Sequence, residues 1–144
     1  MKKIIYATDL SENSVAALHY STQMARILGD DLIVLHVYPP NEAERKNPDF
    51  FKRHQKDLED FYKSHLQENY DKTIISPAVT WGSNVADEIL KFSKDLNVRM
   101  IVMGSCGASK FKDRLMGTTT GEMIGKSQTP ILAVPPEFKF RQPQ

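Results

Sequence analysis

Two stretches of this 144-residue chain carry the residue types that could do chemistry. One is Thr8-Asp9-Leu10-Ser11, a polar run directly after the apolar Ile4–Ala7. The other is Gly104-Ser105-Cys106-Gly107-Ala108-Ser109-Lys110-Phe111-Lys112-Asp113-Arg114-Leu115-Met116-Gly117-Thr118-Thr119-Thr120. Gly104 and Gly107 lack Cβ atoms, so the backbone can turn tightly there and come close to a ligand. Gly117-Thr118-Thr119-Thr120 is placed to open a helix, whose first N–H groups and positive dipole end attract phosphate. Lys110, Lys112 and Arg114 lie between and could offset phosphate charge. The same residues also suit a solvated glycine-containing loop whose basic side chains face water, and isolated glycine spacings are weak signals.

Other chemical signals lose on spacing. Gly121-Glu122-Met123-Ile124-Gly125-Lys126-Ser127 has three residues between its glycines where a P-loop needs four, and it falls within an expected helix. The four histidines, His19, His36, His54 and His65, show no metal-site spacing with cysteine or carboxylate. His36 reads as a strand residue near a pocket rather than a ligand or base. Cys106, in the glycine loop, has no evident base beside it, although a bound cation or helix terminus would favour its oxidation.

The elements that must position these residues are legible from apolar runs. Ile4–Ala7, Leu32–Val37, Ile74–Val79, Met100–Met103 and Ile131–Val134 are β-branched or aliphatic and mostly lack alternation, as strands covered on both faces do. Helices are expected over Ser14–Leu28 (capped by Ser11 or Asn13 and stopped by Gly29), within Pro48–Gln67, over Asn84–Leu96, and from Thr118 to before Gln128. The apolar faces are Val15, Leu18, Ala25 and Leu28 in the first, and Val85, Ile89, Leu90 and Phe92 in the third. The segment Tyr38–Asn47, with Pro39-Pro40 and mixed charge, reads as a mobile loop. Alternating strands and helices of these lengths imply an α/β fold: an open, mainly parallel five-stranded sheet with helices on both faces. Ligands of such sheets bind beyond the carboxyl ends of the strands, where neighbouring connections leave in opposite directions. Both chemical stretches stand at strand ends.

Composition narrows the rest. Residues 1–144 suit one domain, with the tail 136–144 ordered only if it docks on something. The 19 Lys and Arg against 18 Asp and Glu leave a net charge of +1, which gives no field to draw the chain onto nucleic acid or an anionic membrane. One cysteine excludes an internal disulfide and fits a reducing compartment. The apolar start ends at Asp9, too short for a signal core or a membrane span, so a cytoplasmic protein is expected.

The spacing Gly104-x2-Gly107-x9-Gly117-Thr118 resembles the nucleotide signature of ATP-binding universal stress proteins. Ile4–Asp9 followed by Ser11, Leu32–Pro39 with its Leu35-His36-Val37, and Thr129-Pro130-Ile131-Leu132-Ala133-Val134-Pro135 agree in order, so the resemblance covers nearly the whole chain. It implies a Rossmann-like sheet of the adenine nucleotide alpha hydrolase type, in the order 3-2-1-4-5, with a switch point between the first and fourth strands. It further implies that Asp9 meets the adenosine part, that Ala7 and Thr8 line its pocket, and that Val37 contacts adenine through its backbone. Met103, Gly104 and Ser105 would wall the ribose side. Gly107, Gly117, Thr118, Thr119 and Thr120 would hold the phosphates, partly through Mg²⁺. Ala7 stands where many members have proline and Thr119 where an aliphatic residue is usual; neither removes the case for ATP, with AMP or ADP as alternatives.

The function so implied is a nucleotide-dependent regulatory or stress-response module, a homodimer through the edge strand Ile131–Val134 with a further, unknown protein partner. Efficient catalysis is not expected, because the loop offers hydroxyls but no clear general base; slow ATP hydrolysis or autophosphorylation is the enzymatic alternative. A nucleotide-free dimeric scaffold is the third reading.

Overall fold

A computed structural model of the chain describes residues 2–39, 41–66, 74–106 and 117–139. Its elements run β1 (Lys3–Ala7), a 3₁₀ turn (Glu12–Ser14), α1 (Val15–Leu28), β2 (Asp31–Tyr38), α2 (Glu42–Arg45), α3 (Pro48–Leu66), β3 (Ile75–Trp81), α4 (Val85–Ser93), β4 (Val98–Gly104), α5 (Thr118–Lys126) and β5 (Ile131–Val134). The five strands form one sheet in the order β3-β2-β1-β4-β5, and all of these pairs are parallel. The expected sheet is therefore found, in the order that the resemblance implied. β1 lies in the middle, paired with β2 on one side and β4 on the other, and this is the switch point.

Alternation along β1 divides the core between the two faces of the sheet. Ile4 and Tyr6 join Leu18 and Ala25 of α1 and Leu58 and Tyr62 of α3. Ile5 and Ala7 join Ala86 and Ile89 of α4 and Met123 of α5. Ile4, Ile5 and Tyr6 are wholly inaccessible, and burying an aliphatic side chain of that size contributes about 1.5–3 kcal/mol. β1 is thus held rigidly from both sides, and its carboxyl end is a fixed platform. At the opposite end of the sheet, Arg99 of β4 donates to both carboxylate oxygens of Asp30, at 2.5 and 3.2 Å, tying β4 to the turn before β2.

Several boundaries differ from the expectations, each for a local reason. Neither Ser11 nor Asn13 caps α1: a 3₁₀ turn intervenes, Ser14 takes the cap position, and no side chain caps it. Gly29 does close α1 in the left-handed region, at φ 70°. The stretch expected as a mobile loop contains the helical turn α2, which opens with the Asn41 side chain accepting from the Glu44 N–H at 3.3 Å. β3 begins at Ile75 and runs on to Trp81, since pairing with β2 continues to Tyr38. Pro77 is compatible with that strand because β3 is at the sheet edge. α4 ends at Ser93, three residues short of the expected Leu96. Leu28 and Val85, read as core, are 38% and 37% exposed. The start of the tail docks on α1 through an edge-on contact of Phe138 with Tyr20, 5.7 Å between ring centroids; residues 140–144 lie outside the described residues.

Candidate functional site

The exit of β1 is built by short hydrogen bonds. The Thr8 N–H donates to the Leu35 carbonyl at 3.0 Å, prolonging the β1–β2 ladder by one residue. The Thr8 carbonyl accepts from His36 Nδ1 at 2.6 Å, and because a carbonyl only accepts, this nitrogen carries a proton. Thr8 Oγ1 lies 2.8 Å from Ser14 Oγ and accepts from the Leu10 N–H at 3.0 Å. Leu10 has φ 66°, an uncommon conformation for a residue with a side chain, so the surroundings must hold it there. Asp9 Oδ1 accepts from the N–H of Ser11 at 3.0 Å and from its hydroxyl at 2.5 Å, an arrangement that orients the exposed carboxylate. Beneath this turn the Tyr6 hydroxyl reaches the carbonyl and hydroxyl of Ser14, at 2.8 and 3.1 Å.

The exit of β4 is joined to β5 and α5. The Ser105 N–H donates to the Val134 carbonyl at 2.9 Å, and the Ser105 carbonyl accepts from the Gly117 N–H at 2.6 Å. Gly117 is the N-cap of α5 and has no side chain with which to cap it. Thr120, buried at 3% exposure, donates its hydroxyl to the Gly104 carbonyl at 2.9 Å. The start of α5 is therefore fastened to the end of β4 through both backbone and side chain.

Between these two exits and α4 lies a cleft lined by Ala7, Thr8, Asp9, Leu35, His36, Val37, Val85, Ile89, Met103, Gly104, Cys106 and Thr119. One end is an apolar slot walled by Leu35, Val37, Val85, Ile89 and Met103. The other is polar, with the Asp9 carboxylate and the first turn of α5, whose dipole end favours an anion.

The structure brings most of the expected residues together. Ala7, Thr8, Asp9, Val37, Met103, Gly104 and Thr119 line one cleft although they come from β1, β2, β4 and α5. Ser105 and Gly117 are not among its lining residues and pair with each other through the backbone. Thr118 is exposed at the opening of α5, and the Thr120 hydroxyl is directed to Gly104 rather than left for a ligand. Gly107, Lys110, Lys112, Asp113 and Arg114 lie outside the described residues. Sequence reasoning missed Leu35, Val85 and Ile89 as lining. Val85 and Ile89, four residues apart on α4, read as an ordinary core face, and nothing local separates a residue that packs on the sheet from one that packs on a cleft.

Burial holds the His36 pKa below the ordinary histidine value, against the opposing pull of the Thr8 carbonyl and the Asp9 charge. At neutral pH the ring is therefore neutral, with its proton on Nδ1. Burial likewise pushes Tyr38, its neighbour on β2, up to about 12, aided by the charges of Asp57 and Glu44. Among the described residues no group of three or more His, Cys, Asp or Glu is placed to hold a metal ion, and no helix is long and apolar enough to cross a membrane.

Comparison with known proteins gives a consistent family. The profile of the universal stress protein family matches residues 1–135. Universal stress protein MJ0577 of Methanocaldococcus jannaschii is 31% identical over 92% of this chain and 94% of its own; its solved structure superposes with a TM-score of 0.67. A universal stress protein solved in complex with cAMP has a TM-score of 0.67 at 20% identity, covering 94% of this chain and 98% of that one. The universal stress protein of Archaeoglobus fulgidus, solved in complex with dAMP, has a TM-score of 0.65 at 17% identity, covering 93% and 98%. The last two likenesses concern the fold.

Proposed function

We propose, because the chain belongs to the universal stress protein family, that its cleft binds an adenine nucleotide and that occupancy of the cleft regulates the protein. The observation that carries this reading is the pairing of an apolar slot with the Asp9 carboxylate at one strand exit and the opening of α5 at the next. A purine fits between Val37, Val85, Ile89 and Met103, its ribose hydroxyls meet Asp9, and its phosphates meet the first turn of α5. The partial exposure of Val85 supports the same reading, since a ring in the slot would cover it. Relatives of the same fold solved with cAMP and dAMP agree with this chemistry.

The nucleotide proposed is ATP, with AMP and ADP as the other candidates. Mg²⁺ keeps much of its water shell and is held chiefly by phosphates and one or two protein groups, so it would enter with the nucleotide rather than in a protein cage. Regulation follows from connectivity: the cleft joins β1, β2, β4, α4 and α5, so a ligand that bridges them changes how the loops above the sheet are held. The assembly proposed is a homodimer through β5, which lies at the sheet edge with Ile131, Leu132 and Ala133 only partly covered. Sedimentation of the protein with and without ATP tests that arrangement: a monomer in both conditions contradicts it.

Equilibrium binding of ATP, ADP and AMP to the purified protein tests the nucleotide reading. Binding in the micromolar range that falls in Asp9→Ala supports it, and no binding of any of the three rejects it.

A further inference from the structure

We propose that His36 is a positioning residue that sets the Asp9 loop, acting through the Thr8 carbonyl; its bearing on ligand affinity rests on the nucleotide reading above. Side chains alternate along β2, and Leu35 and Val37 belong to the core on the α4–α5 face. The His36 ring therefore goes to the opposite face, where it meets Tyr38 edge-on, 4.2 Å between ring centroids. From behind the cleft its Nδ1–H reaches across to the carbonyl of Thr8, the last residue before Asp9.

The Thr8 unit is thus gripped from β2 on both sides, its N–H by Leu35 and its carbonyl by His36, at 3.0 and 2.6 Å. The conformation of the next three residues depends on that grip. Thr8 Oγ1 holds the Leu10 N–H, and Leu10 keeps a left-handed backbone that costs free energy on its own. Ser11, next in line, holds the Asp9 carboxylate through its N–H and hydroxyl. Ser14 closes the circuit by donating to the Ser11 carbonyl at 2.7 Å and meeting Thr8 Oγ1. A strained residue flanked by two side-chain hydrogen bonds needs a fixed anchor, and the His36 bond reaches it from outside the loop. Without it the Thr8 carbonyl loses its partner at the edge of the core, and the peptide is free to rotate.

The test uses His36→Leu, which removes the donor, and His36→Asn, whose side-chain N–H stands near the position of the imidazole Nδ1–H. Calorimetric titration with ATP and with AMP is expected to show about tenfold weaker binding in His36→Leu, the factor one lost buried hydrogen bond implies. His36→Asn is expected within about threefold of the unaltered protein. In an Asp9→Ala background, His36→Leu is expected to cause no further loss, because its effect passes through Asp9. Unchanged affinity in His36→Leu, or a full additional loss in the double variant, would overturn the proposal. Amide hydrogen exchange without any nucleotide decides the structural half separately: Leu10 and Ser11 exchange faster in His36→Leu and not in His36→Asn, and equal rates in all three proteins refute it. Failure of the unaltered protein to bind either nucleotide would reject the nucleotide reading, while the exchange rates would still decide the role of His36.

Discussion

A Cβ built on Gly104 would lie 3.2 Å from the carbonyl oxygen of Asn13. It would also lie 3.3 Å from the Cys106 carbonyl and 3.4 Å from Ser14 Cα, so backbone surrounds the position. The end of β4 and the connection after β1 therefore touch, and the first chemical stretch lies against the start of the second. Backbone cannot yield as a flexible side chain can. Gly104→Ala is expected to destabilise by about 1–3 kcal/mol, in the manner of an overpacked core, and Gly104→Val by more. Urea unfolding of both variants measures this, and equal midpoints for alanine and glycine would show that the two exits are not pressed together.

Tyr6 makes the same junction from below. It is fully buried, and its hydroxyl serves both the carbonyl and the side chain of Ser14. Tyr6→Phe keeps the ring and removes only these bonds, so a loss of about 1–2 kcal/mol is expected by denaturant titration. Burial also pushes the Tyr6 pKa up to about 12, from 10.0. In that window the unfolded chain gives up a proton that the folded chain keeps, so stability falls as pH rises above about 10. Tyr6→Phe should flatten this alkaline slope; an unchanged slope would place its origin elsewhere.

The acid side has a separate origin. The His36 pKa is lowered by burial despite the nearby Asp9 carboxylate. A histidine lowered in the folded state is protonated first in the unfolded chain. Its stabilising contribution is therefore full above about 6.5 and lost as pH falls through the folded value. Stability is expected to decline on acidification from pH 7 to 5, by at most about 1.4 kcal/mol per pH unit for each proton. The Asp30 carboxyl, held below its usual range chiefly by the Arg99 hydrogen bonds, stays ionised throughout that window. His36→Asn should remove part of the slope, and denaturant midpoints across the range measure it.

Much of this arrangement is legible in the residues because the strands are covered on both faces. Runs such as Ile4–Ala7 and Leu32–Val37 have no polar face to mistake, and Gly29 marks the stop of α1 without ambiguity. Glycines and hydroxyls at two strand ends point to the corner of the sheet where the cleft lies. Features that depend on distant partners are harder to see. The apolar half of the cleft uses Val85 and Ile89, whose spacing is that of any amphipathic helix, and only the placement of α4 over β2 turns them toward the cleft. The start of α1 misleads because Ser11 and Asn13 both fit a cap locally, whereas the bonds of Ser14 to Thr8 and Tyr6 favour a 3₁₀ turn first. Thr120 resembles a phosphate ligand beside Thr118 and Thr119, yet one residue of helical rotation carries its hydroxyl to Gly104.

Calorimetric titration of ATP into the unaltered protein, Asp9→Ala and Gly117→Val bears most directly on the central claim. Gly117 has φ −69°, a conformation any residue adopts, so valine there brings no backbone strain. The expected result is micromolar binding, about tenfold weaker without the Asp9 carboxylate and abolished when valine crowds the opening of α5. Equal affinity in all three proteins would mean that ATP binds somewhere other than the junction of β1, β4 and α5.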